Sequence, residues 1–427
     1  MKKGAVIELD CEKIVFGGQG LCHKMDKTIF VWNILPGEKA DVVIYNKKKN
    51  YLEGIAVKLK EPSSERIDVS ENHFLSCSPW QIMSETMEKR LKREISIETY
   101  KHIGKLNLPS EIQLKDNGVL FGYRDKMEYS FVFDAGRNHL AFFKRGTHQK
   151  QSISPCLLAT EHVNFAAERV NDWLNAYKFP ARSLKSLVLR GSNDNSVAAA
   201  LFVKDKVSFL RKPELGAVFK GFQVYYSDPR SPASRADECL LSIGDSFVVS
   251  TLRGMQLKHG LLSFFQINIK MFEQVLDDIK IFLIKEKRLV DFYSGVGAIS
   301  IPLADYCSSA VLVESNEEAV AYAKENIILN KLKNFEAKLV STEKALECID
   351  SDCVLILDPP RSGLHTKIIE RILSVCPERI IYLSCNISTQ ARDLGLLTSK
   401  YSISFMRLYN FFPRTPHVEG LCVLDVC

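Results

Sequence analysis

Leu289-Val290-Asp291-Phe292-Tyr293-Ser294-Gly295-Val296-Gly297 is the stretch that decides the fold. It reads as a β-strand, Arg288 to Tyr293, running into a turn and then a helix. The glycines let the backbone approach a ligand closely at the carboxyl end of a first strand, where open α/β sheets bind nucleotides. Working outward, strand-like runs recur at Ala310 to Glu314, Val354 to Leu357 and Arg379 to Leu383, with helical stretches between. That alternation predicts βαβ units and a doubly wound, mostly parallel α/β sheet over residues 256–427. Glu314 closes the second strand about 20 residues on, where an acid can hydrogen-bond the ribose hydroxyls of an adenosine cofactor.

NAD and S-adenosylmethionine both suit such a crevice. Here Ala298, Ile299 and Ser300 follow Gly297. The missing third glycine of GxGxxG favours the methyl donor, which has no pyrophosphate to cradle. The third strand delivers Asp358-Pro359-Pro360-Arg361-Ser362-Gly363. Two prolines make a rigid extended turn and hold the Asp358 carboxylate at the strand tip, although a strand terminator would read the same way. Methyltransferases acting on base amino groups place Tyr or Phe after such prolines, and RNA cytosine-C5 enzymes place a catalytic Cys in this loop; Arg361 is neither. The fourth strand ends Leu383-Ser384-Cys385-Asn386. A cysteine at that tip faces the crevice, whereas a structural one more often lies mid-strand in the core. Glu419 precedes a terminal apolar run, Gly420 to Val426, and by itself reads equally as a strand-edge acid.

At 427 residues the chain exceeds one hydrophobic core, and three domains are expected: 1–60, 61–255 and 256–427. Short β-rich runs with glycine and lysine turns predict a small antiparallel, OB-like barrel in the first. It holds eleven lysines against seven acids, four of the six net positive charges, so a polyanion is expected to dock there. Lys47, Lys48 and Lys49 are candidate RNA contacts or simply a solvated turn. Glu61-Pro62-Ser63-Ser64-Glu65-Arg66 reads as a linker, and the middle segment as an α+β domain with a basic helix over Met83 to Ile97. Hydrophobic residues at 46 % and charged residues at 25 % disfavour both disorder and a membrane protein. Twelve cysteines without a CxxC pair read as reduced thiols, and the polar start MKKGAVIELD lacks a secretory pattern, so a cytoplasmic location is expected.

LSCN, FFPRTPHVE, DPPRSG, DFYSGVGA and Phe264-Phe265-Gln266-Ile267-Asn268 stand in the order and rough spacing of the RNA uracil-C5 methyltransferase family, which the chain resembles almost throughout. FGGQG (16–20) and FVWNILPGE (30–38) resemble that family's TRAM barrel; GYRDKMEYSF (122–131) and FFKRGTHQ (142–149) are similar to its central domain. The resemblance implies a class I, Rossmann-like catalytic domain, S-adenosylmethionine as cofactor and an RNA partner. By the barrel, that partner is expected to be ribosomal (23S) RNA, with transfer RNA as the alternative. It assigns Cys385 as the nucleophile that adds to C6 of uracil and Glu419 as the base that removes the C5 proton. It gives the cofactor to Gln266, Tyr293, Gly295, Gly297, Ala298, Glu314, Thr342 and Asp358, and the base or its phosphate to Arg361. Cys385 would need its pKa lowered to serve at neutral pH. A monomer is expected, and a catalytically silent RNA-binding or assembly factor is the rival from another class.

Departures from the pattern carry expectations too. Many relatives of the ribosomal branch hold a [4Fe–4S] cluster through a CPHFxxCxxC-like run and a distant fourth cysteine. Aligned on His73 and Phe74, this chain has Glu71 and Trp80 at two ligand positions, leaving Cys77 and Cys156. No cluster and no metal are expected, with both thiols read as remnants or plain buried groups. Ala298, Thr342 and Ile387 also differ from the usual residues at their positions.

Overall fold

A computed structural model describes residues 2–108, 111–208, 213–214 and 216–427. The first sheet takes its strands from β1 (Val6–Asp10), β2 (Lys13–Ile14), β3 (Gly20–Lys24), β4 (Lys27–Trp32), β5 (Lys39–Lys47) and β6 (Tyr51–Glu61), in the order β1-β5-β6-β4-β3-β2. Alternate residues of β5 point inward, so Ala40, Val42 and Ile44 meet Leu9, Ile29 and Val31 in one small core. The expected linker does not hang free. Arg66 donates to the buried Glu38 carboxylate at 2.6 and 2.7 Å, and the backbone N–H of Ser63 donates to it as well. These bonds hold Glu38 below the usual carboxylate range although burial works against them.

Two helices follow, α1 (Phe74–Cys77) and α2 (Glu85–Gly104), then a two-residue strand β7 (Leu114–Lys115). Ser84 starts α2 as its cap, accepting from the Met87 N–H. The apolar face of α2, Met87, Leu91 and Ile95, shares a core with Trp80 and Met83, with Ile14 of β2 and with Leu35 of the β4–β5 loop. At its far end Gly104 crosses so close to a later helix that a Cβ there would sit 2.6 Å from the Ala391 carbonyl oxygen.

A second sheet comprises β8 (Lys126–Asp134), β9 (Arg137–Phe143), β10 (Lys150–Ser152), β11 (Leu184–Gly191), β12 (Val197–Val203), β13 (Phe219–Tyr226) and β14 (Glu238–Gly244), with α3 (Glu161–Ala176) packed on it. The hairpin β15 (Phe247–Leu252) and β16 (Met255–Gly260) leads to the last region. There lie α4 (Ile269–Ile279), β17 (Arg288–Phe292), β18 (Ser309–Glu314), α5 (Glu317–Leu329), β19 (Phe335–Leu339), β20 (Cys353–Leu357), α6 (Thr366–Val375), β21 (Arg379–Ser384), α7 (Ile387–Leu397), β22 (Tyr401–Tyr409) and β23 (Glu419–Val426).

The third sheet runs β19-β18-β17-β20-β21-β23-β22-β7, the Rossmann-like arrangement expected. Strands β17 to β21 are parallel and β23 is antiparallel to β21. Successive side chains supply two cores. Val290, Leu355 and Tyr382 pack toward α6 and α7, while Leu289, Val354 and Ile381 pack toward α4 and α5. Burying each such side chain contributes roughly 1.5–3 kcal/mol. The helix expected directly after Gly297 is instead a run of turns and a 3₁₀ segment, Ile301–Tyr306. Pro302 lacks an N–H, and Ser300 turns its hydroxyl inward to donate to Asp291 Oδ2 at 2.7 Å, so the chain coils tightly rather than extending a helix. No helix among the described residues is long and apolar enough to cross a membrane.

Candidate active site

Strands β18, β17, β20 and β21 all end at one edge of the sheet, and β23, running the other way, begins there. That edge therefore carries, in lateral order, Glu314, Tyr293 with Gly295, Asp358, Cys385 and Glu419. Neighbouring strands stand about 4.8 Å apart, so Glu314 and Cys385 are separated by three spacings, roughly 14 Å. Cys385 and Glu419 come from adjacent strands, just beyond the pair Ser384 and Gly420.

On the Glu314 side the backbone is shaped for close approach. Tyr293 is left-handed, φ 63°, a conformation that costs a non-glycine residue on the order of 1 kcal/mol. Thr342 is buried. Gly295 is also left-handed and has nothing within 4 Å of where a Cβ would stand, so the space before it is open. Its N–H donates to Glu314 at 3.2 Å, and Ser315 and Asn316 N–H donate to the same carboxylate at 2.7 Å each. Gly297 serves packing instead, since a Cβ would meet Ile301 at 2.5 Å. Ala298 packs against the core on the α4 and α5 face. Gln266 is buried before α4, in a loop held by Arg190, whose guanidinium donates to the Ser263 and Phe265 carbonyls.

Buried acids gather beneath this edge. Burial, then the neighbouring Asp291, pushes Asp358 up to about 7. Burial likewise raises Asp291 to about 7 and lifts Glu419, 4 % exposed, well above the usual carboxylate range, with Asp358 adding to it. Asp291 Oδ1 and the Ser294 hydroxyl are buried without a hydrogen-bond partner. A ligand that combines adenosine hydroxyls, open backbone approach and a positive charge would answer all of these groups, and S-adenosylmethionine is such a ligand.

The thiol does not behave as its sequence position implied. Burial first, then Glu419 and Asp358, raise the Cys385 thiol above its ordinary range; the charge of Arg361, which shares its cavity, opposes them. Cys385 also precedes Asn386, the cap of α7, where the helix amino terminus favours a thiolate. Ile387 occupies the first position of α7 and is buried, so an apolar contact stands where the usual proline would begin the helix.

Cys385 opens into a cavity of 240 Å³ shared with Arg361, His417 and the loop Phe16-Gly17-Gly18. Gly18 must lack a side chain, because a Cβ would meet Pro416 at 2.3 Å. A neighbouring cavity of 610 Å³, also reached by Gly17 and His417, is lined by Trp32, Arg124, Lys126, Phe142 and Arg145. The Arg145 guanidinium lies 4.0 Å over the Trp32 ring. None of Arg124, Lys126 and Arg145 was among the site residues expected from the sequence, although they lie in GYRDKMEYSF and FFKRGTHQ. Lys47, Lys48 and Lys49 are instead exposed at the β5–β6 turn and line neither cavity.

Beneath the larger cavity Glu71, His73, Cys77 and Cys156 offer ligand atoms all within 4.8 Å of one another. A [4Fe–4S] cubane does not fit them: two of its four thiolates are missing, and so tight a cage cannot enclose four irons and four sulfides.

The model of the tRNA (uracil-5-)-methyltransferase family matches residues 235–426. An uncharacterized RNA methyltransferase of Caldanaerobacter subterraneus subsp. tengcongensis is 28 % identical over 451 residues, covering all of both chains. One from Clostridium tetani is 28 % identical over 453 residues, covering 98 % of this chain and 97 % of the relative. Among solved structures, the Pyrococcus abyssi tRNA (uracil-54, C5)-methyltransferase in complex with S-adenosyl-L-homocysteine superposes with a TM-score of 0.80 at 23 % identity, covering 98 % of this chain and 100 % of that one. The chain is thus similar to the tRNA (uracil-5-)-methyltransferase family over its catalytic sheet, and to proteins named RNA methyltransferases along its whole length.

Proposed function

We propose that the chain transfers a methyl group from S-adenosylmethionine to C5 of a uridine in 23S ribosomal RNA, with Cys385 as nucleophile and Glu419 as base. The observation that carries this reading is the adjacency of Cys385 and Glu419 at the tips of β21 and β23, at the edge where Gly295, Glu314 and Asp358 also stand. When bound, S-adenosylmethionine supplies an electrophilic methyl group carried on a sulfonium. Glu314, Gly295, Tyr293, Thr342, Asp358 and Gln266 would hold it.

The thiolate of Cys385 adds to C6 of the base, and the C5–C6 π pair moves toward O4, which makes C5 nucleophilic. C5 then forms its new carbon–carbon bond to the donated methyl, whose bond to the sulfonium sulfur would break with its electron pair left on a neutral thioether. Glu419 takes the C5 proton, the released pair restores C5=C6, and the Sγ–C6 bond breaks to return the thiolate. A buried carboxylate is a stronger base than an exposed one, which suits Glu419 to a carbon-bound proton. Arg361 lines the same cavity as the sulfur and would steady charge as it moves onto the ring.

A cavity of 240 Å³ suits a single base turned out of its stack rather than a larger ligand. In the neighbouring cavity Trp32 and Phe142 offer stacking faces beside Arg124, Lys126 and Arg145. Lys126 is brought down to about 8, by burial first and Arg190 second, so an anion at this place would stabilise its charge. In this reading residues 1–60 and 61–255 grip the flanking nucleotides and 256–427 do the chemistry, with α2 and β7 packed on the catalytic sheet.

A second reading, a transfer RNA substrate, is favoured by the Pyrococcus abyssi enzyme: it is matched over its whole length, so a barrel of this kind accompanies an enzyme named for tRNA. The test is incubation of purified protein with ribosomal and transfer RNA from a deletion strain and S-adenosylmethionine labelled in its methyl group, followed by nucleoside mass spectrometry. Label in 5-methyluridine of 23S RNA is expected. Label in transfer RNA alone selects the second reading, and label in any other nucleoside overturns both.

A further inference from the structure

We propose that Glu71, His73, Cys77 and Cys156 form a closed, four-ligand structural site for a single zinc-class divalent metal ion. The four donor atoms, two thiols, one imidazole nitrogen and one carboxylate oxygen, converge from two separate stretches of chain to within 4.8 Å of one another. Cys77 Sγ lies 3.8 Å from Glu71 Oε2, and His73 Nε2 lies 3.1 Å from Glu71 Oε1. Zinc binds sulfur at about 2.3 Å and nitrogen or oxygen at about 2.0–2.2 Å, so ligands on a tetrahedron around it stand roughly 3.3–3.8 Å apart. The cage has the size of one ion.

The groups behind the ligands point the same way. His73, 2 % exposed, sets its Nδ1 3.3 Å from Asn72 Oδ1, an acceptor that fixes the tautomer with a bare Nε2. That Nε2 faces inward without a hydrogen-bond partner of acceptable geometry, close though it is to Glu71. Glu71 is oriented by two outer donors, the Leu157 N–H at 2.6 Å and Gln81 Nε2 at 2.9 Å. Ser78 Oγ sits 3.1 Å from the Cys77 sulfur and also accepts from Gln81 Nε2 at 2.6 Å. Ligands held by a tight outer shell are the pattern of a built metal site, and a soft thiolate pair with imidazole selects zinc over magnesium or calcium.

Four protein ligands leave no open position for water or substrate, so the ion would tie rather than react. It joins Glu71 to Cys77, around α1, with the loop that precedes α3. The same connector continues to Trp80, whose Nε1 donates to the Gly18 carbonyl in the loop that lines the Cys385 cavity, and whose N–H donates to the Arg414 carbonyl. The metal would thus set where the barrel loop stands over the crevice, in place of the cluster that the cage cannot hold.

The test uses the full-length protein purified anaerobically under reducing conditions. Metal content is measured by mass spectrometry, and Co²⁺ is added to chelator-treated protein. One zinc per chain and thiolate-to-cobalt charge-transfer absorption with tetrahedral d–d bands are expected. The double variant Cys77→Ser with Cys156→Ser should lose both. Because that variant can fail to fold, Glu71→Gln, which keeps the size and much of the hydrogen bonding, and Gln81→Leu are measured beside it. With unchanged circular dichroism, each should weaken zinc binding roughly 10–100-fold. Wild-type protein that neither carries zinc nor takes up cobalt, metal content unaffected by the Cys77→Ser and Cys156→Ser changes, or iron and acid-labile sulfide in cluster proportion would each overturn the proposal.

Discussion

Two places in this molecule combine cysteine with carboxylate, and they differ in what faces the sulfur. At the sheet edge Cys385 looks into a cavity, with Glu419 and Asp358 beside it and only Arg361 in opposition. In the cage around Cys77 the donors face one another, backed by Gln81, Ser78 and the Leu157 N–H. Residue type alone does not separate a reacting thiol from a tying one. What faces the sulfur does, because reaction needs a partner and groups that change state, whereas an ion needs donors that converge on one point.

The largest effect is expected at the crevice. Cys385→Ala should cut methyl transfer by on the order of 10⁴-fold or more, since nothing else at the edge can add to C6. Labelled methyl counts in RNA would show it, and a variant with ordinary turnover would end the distinction. Cys77→Ser, by contrast, should lower the rate by less than tenfold while dropping Tm by about 5 °C or more, read by calorimetry.

Glu419→Gln comes next, with a rate loss of roughly 10²–10⁴-fold. Because the base acts after the sulfur has bonded, a protein–RNA adduct that survives denaturing electrophoresis should accumulate, and it should vanish when Cys385 is also replaced. The pH profile sharpens the point further. A thiol raised above its ordinary range gains thiolate as pH rises, so kcat/KM should climb through the alkaline range, and Arg361→Ala, which removes the opposing charge, should move that limb higher still. The smallest effect belongs to Lys47, Lys48 and Lys49: replacing all three with Ala should change kcat/KM about threefold or less, because they lie off both cavities, although the salt dependence of RNA binding should flatten.

Much of the crevice was legible because a parallel sheet converts chain order into place. Each strand ends at the same edge, so Glu314, Asp358 and Cys385 could be located from where their strands stop, and Glu419 from the start of the last one. What lies between separate sheets was not legible. Arg124, Lys126 and Arg145 meet Trp32 only once the barrel and the second sheet are docked, and no local periodicity records that docking. The cage was half legible: the resemblance already set Glu71, Cys77 and Cys156 at ligand positions, but a pattern that counts thiols passes over the carboxylate of Glu71 and the imidazole of His73 as donors. The turn after Gly297 was misjudged because Pro302 and the Ser300 to Asp291 bond outweigh helical propensity there. The raised Cys385 thiol could not be seen in advance, as it depends on how deeply two neighbouring acids are buried.

The apolar seam between Ile14, Leu35, Trp80, Met83 and α2 has a consequence for how the molecule comes apart. A domain on a loose tether melts by itself, but this barrel lends side chains to a core that it does not own. Heating should therefore give one cooperative endotherm rather than a shoulder followed by a peak, and a protease cut between the barrel and α2 should leave both pieces travelling together through a sizing column.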